Sequence, residues 1–446
     1  MLNLEDLKNT LKAVSSSLSI TKYDLYGAEG SSTSVSVDSG KADKVTAKDT
    51  SSCVLRVWSD KNTGSVSTSD LTEDGLKIAF KTALDIAKLG LQDVTPDFSP
   101  KAKDDLSEKS DSINPKRPLP SDLIDKLIEM EKKAIDSHEA ITRVPYNGIS
   151  DATSREFYIN SDGAFRVCEH AASYCYLYTL AQEKERRARK AFSLKQAKDF
   201  ADLETDLCLK ETIEKTIFSI NYISLPKEDE YTVVFSPRAF LALFSSFSNI
   251  WNARSVLDQK SLSTKESIGQ KIAVESFNFS DNALHKDNFS RTLFDQEGTP
   301  TRELGIIENG TLKTFIHNEE TAKAFNTEPT GNAVIGARPS AGTNFYHIFS
   351  GDNNCPLRDK EKEKAIVYVE QVNALHAGVQ STQGTFSLPV DGWVTTDDGI
   401  KSFESAVVSG DIMKVLQNIV YMDPEPIVTE NGVCPDIWVT GLKVTG

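Results

Sequence analysis

Apolar residues at Leu4, Leu7, Leu11, Val14 and Leu18 recur every three or four positions, so an amphipathic helix is expected to open the chain. Period-2 alternation then takes over. Thr33, Val35 and Val37 fall on one face, as do Cys53, Leu55 and Val57, and a short third strand is expected at 65–68 after an Asn62-Thr63-Gly64 turn. Leu76, Phe80, Ala83 and Ala87 predict a second helix, stopped by Gly90. Residues 91–121 carry Pro96, Pro100, Pro115, Pro118 and Pro120 in a charged, Ser-rich stretch, which reads as an exposed connector. Leu123, Leu127, Met130 and Ala134 predict a helix. A strand pair turning at Asn160-Ser161-Asp162-Gly163 follows, with Tyr174, Tyr176, Tyr178 and Leu180 on one side of its second strand. Residues 204–220 are again helical.

A further unit is expected from about Glu228. Tyr231–Phe235 reads as a buried strand, and Ser236 caps a helix that has Pro237 at its first position. Phe240, Phe244 and Phe247 ride one face of that helix. Strands are expected at 365–372, 384–393 and 436–444, and a helix at 411–420. The predicted class is α+β: antiparallel α+β domains at 1–110 and 111–225, then a β-rich, barrel-like or curved-sheet domain at 226–446.

Residues 293–333 are dense in turn signals. Asn309-Gly310 predicts a hairpin that returns through Leu312, Phe315 and Ile316. A short helix is expected at 318–324, and Thr330-Gly331-Asn332 closes the unit. Asp295 and Glu297 alternate with Phe294 and Gln296, so the acids are expected to share a strand face and to meet a basic group of substrate or partner. Turns that fix backbone direction suit main-chain recognition of an extended peptide. Asp295, Glu297, Gly298, Asn318, Gly331 and Asn332 are therefore candidate peptide-binding or interface residues. The alternative is a hairpin that only packs its domain.

Composition narrows the function. The 446 residues are 39% hydrophobic and 26% charged, with a net charge of −15. Such acidity argues against nucleic acid as a partner. No apolar run is long enough for a membrane helix, and the N-terminus does not read as a secretory signal. Six cysteines without a C-x-x-C pair imply reduced thiols and a cytoplasmic location.

Chemistry-bearing residues are scattered. His170, His285, His317, His347 and His376 stand singly, and His138-Glu139 has Arg143 where a second zinc-binding His would be. Cys434 has no evident partner. Lys184, Arg186, Arg187, Arg189 and Lys190 form a basic cluster interrupted by Glu185, which reads as a solvated face, with a grip on phosphate or an acidic peptide as the alternative. No catalytic and no metal-binding residue is assigned.

Phe294-Asp295-x-Glu297-Gly298, Asn318-x-x-Thr321-Ala322 and Thr330-Gly331-Asn332 resemble the TldD/PmbA peptidase family, once labelled modulators of DNA gyrase. Leu55-Arg56-Val57, Asn160-Ser161-x-Gly163, Gly384-x-Phe386-Ser387 and Ser409-Gly410-Asp411 extend the likeness along nearly the whole chain. The resemblance implies, for the catalytic branch, zinc held by His-Glu-x-x-x-His on the helix after strand 231–235. Residues 239–249 here contain no His, Glu or Cys. The chain thus resembles the PmbA (TldE) branch. That implies no cofactor in this chain, zinc in a TldD-type partner, a heterodimer with that subunit, and peptides as substrate. The alternatives are a stand-alone homodimeric peptide-binding protein and a gyrase regulator.

Overall fold

The computed structural model describes residues 2–90, 96–110, 113, 116–183, 186–225, 231–336, 339–351, 365–403 and 405–446. Asn3 starts helix α1 (Leu4–Ser17) by accepting the N–H groups of Glu5 and Asp6, and the predicted stripe from Leu4 to Val14 is buried. β1 (Tyr23–Asp38) and β2 (Lys41–Ser59) form a long hairpin. β3 (Asn62–Thr68) pairs only with Cys53–Ser59 of β2. Asn62-Thr63-Gly64 is thus strand, and the turn falls at Asp60-Lys61, with Asp60 at φ 53°. α2 (Glu73–Leu89), α3 (Pro120–Asp136), β4 (Ile141–Asn160), β5 (Phe165–Ala181), β6 (Arg189–Ala197) and α4 (Thr205–Ile220) complete the first half.

The strands make one six-stranded sheet, ordered β3-β2-β1-β4-β5-β6. β1 pairs with β4 from Asp24↔Asn160 to Val35↔Ile149, so the boundary expected near residue 110 does not divide the sheet. Parity sorts the faces. Leu25, Leu55, Phe157 and Ile159 pack under α1 and α2, while Val35, Ile149, Cys175 and Leu177 pack under α3 and α4. All four helices therefore cover one face. Asp24, Arg56, Tyr158 and the alternating Tyr174, Tyr176 and Tyr178 point to the other.

The Pro-rich connector is packed at 96–99 and exposed, as expected, at 103–105, 107–109, 116 and 119–121. Trp58 Nε1 donates to the Pro96 carbonyl at 2.8 Å, the Asp97 N–H to Glu319 Oε2 at 2.6 Å, and Thr299 Oγ1 to Ser99 Oγ at 2.9 Å. The expectation of an exposed linker fails there because an indole and a carboxylate need these backbone partners. Pro115 and residues 226–230, where a domain start was expected, lie outside the described residues.

The C-terminal half holds β7 (Tyr222–Ile223), β8 (Thr232–Phe235), α5 (Pro237–Ser245), α6 (Ala253–Leu257), β9 (Phe277–Asn282), β10 (Glu303–Glu308), β11 (Thr311–Leu312) and α7 (Glu319–Phe325). β12 (Ala333–Val334), β13 (Ser340–Ala341), β14 (Tyr346–Ser350), β15 (Ile366–Val372), β16 (Val379–Gln380), β17 (Thr385–Thr396), β18 (Gly399–Phe403) and β19 (Ala406–Asp411) follow. A short helix, Ile412–Gln417, precedes β20 (Ile419–Met422), β21 (Ile427–Val428), β22 (Gly432–Cys434), β23 (Ile437–Val439) and β24 (Lys443–Thr445). One sheet runs β11-β10-β9-β14-β22-β21. A larger one runs β20-β23-β8-β15-β17-β18-β7, with β16, β19 and β24 attached.

The hairpin at Asn309-Gly310 forms, but its return strand ends at Leu312; Ile316 keeps a single bridge to Asn252. The expected final strand is broken in two by Gly441 at φ 77°. A single core joins both sheets to α5. Phe244 stacks on Phe240 at 5.7 Å and on Trp251 at 4.6 Å, and meets Phe277 and Phe279 edge-on. The α+β class, with antiparallel sheets and a β-rich C-terminal half, is the one read from the sequence.

Candidate functional site

Residues 293–333 cross the gap between the six-stranded sheet and the C-terminal sheets. Asp295 folds the chain on itself. Its Oδ1 accepts the N–H groups of Glu297 and Thr299, both at 2.9 Å, and its Oδ2 accepts that of Ala333 at 2.8 Å. Gly298, at φ 77°, closes the turn, and a Cβ there would lie 2.5 Å from the Tyr158 ring. Glu297 reaches in both directions. Its Oε1 accepts Arg56 Nη1 at 2.8 Å and its Oε2 accepts the Glu319 N–H, at the start of α7, at 2.8 Å. Arg56 in turn forks onto Asp24 at 2.9 and 2.6 Å, and the Tyr158 hydroxyl donates to Asp24 at 3.0 Å.

The expected shared strand face is therefore absent. Asp295 is 5% exposed and Glu297 0%, and the basic group that Glu297 meets is Arg56 of the same chain. Alternation misled because the segment is a turn, in which each carboxylate satisfies backbone N–H groups. Burial pushes the Asp295 carboxyl up to about 7, with the Glu297 charge adding and the three backbone bonds opposing.

The remaining candidates are also internal. Asn318 caps α7 by accepting the Thr321 N–H at 3.0 Å. Gly331, at φ 84°, passes so near Pro300 that a Cβ would lie 2.6 Å from its carbonyl oxygen. Asn332 donates to buried Asp281 and to the Gly342 carbonyl. The six residues form a connected clamp, and any role at a peptide or partner surface is one of shaping it.

His317 sits inside this clamp, edge-on to Phe315 and Phe325. Burial lowers its pKa to about 4, against the Thr321 backbone bond. The unfolded chain then binds a proton here between about pH 6.5 and 4 that the folded chain does not, so His317 removes stability as pH falls through that window. The His317→Asn variant is expected to lose less stability on acidification, by up to about 1.4 kcal/mol per pH unit in urea titrations. Parallel curves for variant and wild type from pH 6.5 to 4 would refute it.

α5 occupies the position where the resemblance implies a zinc-binding helix. Its Ala239, Phe240, Leu243 and Phe244 are core residues, and Ser236 caps it by accepting the Ala239 N–H. The donor set does not fit the metal. Cys434 is fully buried, donates to the Pro435 carbonyl at 3.2 Å, and has its thiol pushed well up by burial and by Asp436. His138 Nδ1 accepts the Ala140 N–H. Among the described residues no three His, Cys, Asp or Glu side chains gather to hold a metal ion.

A cleft of about 500 Å³ opens between β5, β6 and α4 on one side and β15, β17 and β18 on the other. Tyr178 and Phe192 stack at 4.7 Å on one wall, with the Arg238 guanidinium 5.4 Å from the Phe192 ring. Phe218, Trp393 and Ile400 add apolar surface. A bulge between Val369 and Gln371 leaves Glu370 outside the ladder, and Glu370 takes Lys215 Nζ at 2.5 Å. Opposite it, Gly392 is required by contact, since a Cβ would lie 1.9 Å from the Tyr368 carbonyl oxygen.

The basic cluster borders this cleft and is partly engaged. Arg186 lies 4.2 Å and Arg189 5.2 Å from the Tyr222 ring centroid, and Arg189 donates to the Phe403 carbonyl at 3.0 Å. These two arginines are fasteners and not a solvated face; Lys184 and Glu185 lie outside the described residues. The sequence signals toward the cleft were the Tyr174–Tyr178 alternation and the Arg189 and Lys190 members of the basic cluster.

Residues 23–87, 113–217 and 228–446 match family models described as PmbA/TldA metallopeptidase domain 1, central domain and C-terminal domain. The chain is 22% identical over 450 residues to metalloprotease PmbA of Escherichia coli O157:H7, spanning 98% of this chain and 96% of that one. A Thermotoga maritima MSB8 crystal structure, named for modulation of a DNA gyrase, aligns with TM-score 0.84 at 22% identity, covering 99% of this chain and all of that one. TldE from Thermococcus kodakarensis aligns with TM-score 0.82 at 21% identity, over 99% and 100% of the two chains. At these identities the structural likeness establishes the fold.

Proposed function

Because the chain belongs to the PmbA/TldD metallopeptidase family, we propose that it is the non-catalytic, PmbA/TldE-type subunit of a two-chain zinc peptidase. A TldD-type partner supplies the metal, and the pair processes or degrades peptides in the cytoplasm. The observation that carries this reading is α5. It stands where the resemblance implies the metal-binding helix, yet it turns phenylalanines into the core and offers no donor. Phe and Ser cannot stand in for imidazole and carboxylate around zinc, or activate its water. The fold around α5 is retained over the whole chain, as expected of a subunit whose task is to build and wall a chamber.

Co-expression with a TldD-type relative carrying an intact His-Glu-x-x-x-His tests the proposal. The two chains should co-purify, and an unfolded peptide should be cleaved by the pair and not by this chain alone. Cleavage by this chain alone, or undiminished cleavage by the TldD-type chain without it, would overturn the assignment.

A second reading, a homodimer that takes peptides by strand addition, draws on one feature. Among the described residues, 41–52 of β2 lie beyond the reach of β3 and pair only with β1, which leaves an exposed strand edge. Self-association without any TldD-type chain, with peptide bound and not cut, would favour it.

A further inference from the structure

The charge in the cleft between α4 and the C-terminal sheet runs against that of the chain, which is −15 overall. Arg189, Lys190, Lys215 and Arg238 line it against Glu214, Glu370 and Asp391, an excess of one positive charge (4 − 3). Some of these groups are already engaged. Lys215 is held by Glu370, and Asp391 accepts Asn373 Nδ2 at 2.8 Å. Arg238 spends Nε and Nη2 on Glu430, at 3.2 and 2.9 Å.

Two donors are left over. Lys190 has no ion pair or side-chain hydrogen bond among the described residues, and Arg238 Nη1 has no partner there. Lys190 and Phe192 are two apart on β6, so they project from the same face. The spare ammonium therefore lies beside the Tyr178–Phe192 stack, over which Arg238 also sits.

We propose that this cleft binds the carboxy-terminal residue of a peptide. Its large apolar side chain lies against Phe192 and Trp393, and its α-carboxylate is held by Lys190 and Arg238 Nη1. An apolar cavity edged by a spare ammonium and one spare guanidinium N–H asks for a large apolar group and an anion on one small unit, and a terminal Phe, Tyr or Leu carries both. The volume suits one or two residues and no folded domain. A phosphodiester chain would bring many negative charges to a protein that is acidic overall. The inference rests on the peptide-handling reading above.

The test uses the full chain without a partner. Tryptophan fluorescence or calorimetry follows binding of acetyl-Gly-Gly-Phe as free acid, the same peptide as its amide, and acetyl-Gly-Gly-Ser as free acid. The Phe acid is expected to bind about tenfold more tightly than either control. Lys190→Gln, at an exposed position, should erase most of the preference for acid over amide with the melting curve unchanged. Ile400→Glu, also exposed, should weaken the acid more than the amide. Equal binding of acid and amide, no binding of the Phe acid, or an acid preference unmoved by Lys190→Gln would overturn the proposal. Partner-dependent cleavage without acid preference removes this site and spares the two-chain reading. Acid preference without partner-dependent cleavage does the reverse.

Discussion

Arg56→Met is expected to destabilise the protein by about 3–5 kcal/mol, the usual loss when one partner of a buried ion pair is removed. Arg56 is 1% exposed, and its guanidinium is the only cation paired with Asp24 and Glu297 among the described residues. Methionine fills much of the volume but leaves two carboxylates in low dielectric facing each other. The effect should reach beyond local packing, since Glu297 also accepts the Glu319 N–H that begins α7. Urea unfolding should show a lowered midpoint, with α7 among the first segments to exchange amide hydrogens. Adding Asp24→Asn and Glu297→Gln removes the stranded charges and should restore part of the loss. A single Arg56→Met variant as stable as wild type would show that the pair holds nothing together.

Phe244→Ala should cost a comparable amount, about 3–5 kcal/mol, for a different reason. Its ring touches Phe240, Trp251, Phe277, Phe279 and Tyr346, so truncation opens a cavity between α5 and the β9–β14 pair. Ser245→Ala, one residue on and partly exposed, is the control and should stay within about 0.5 kcal/mol. Calorimetric melting of the two variants decides it. Equal melting temperatures would mean that α5 is not held by this ring. An imidazole or carboxylate placed at Phe240 or Phe244 would be buried without a partner.

Much of this was legible in the chain. The stripe at Leu4–Val14, the Ser236-Pro237 helix start and the Asn309-Gly310 hairpin are local signals, and each produced its element. The α+β class followed from them. What stayed hidden depends on partners far along the sequence. Asp295 and Glu297 look like surface acids because charged residues usually are. Only the fold places Arg56, 241 positions away, against Glu297, and the Ala333 N–H against Asp295. The pairing of β1 with β4 across the proline-rich stretch is equally invisible to periodicity, which describes faces and not neighbours. The bulge at Glu370, which shapes the cleft, leaves no mark on the alternation around it.

The reach of Arg56 to Glu297 also sets an order of events during synthesis. Asp24 and Arg56 emerge early and can pair at once across the β1–β2 hairpin, at Asp24↔Arg56 in the ladder. Their third member is not yet made. With 241 residues between them and translation at about 5–20 residues per second, the nascent sheet waits roughly 12–50 s for Glu297. From the arrival of Cys168 to that of Glu297 the Tyr158 side of the sheet lacks the turn that later covers it, and an apolar strip including Tyr26 and Cys168 faces the solvent. The chain is thus most exposed to misassociation when about half of it has left the ribosome, before its second half folds down as the cover.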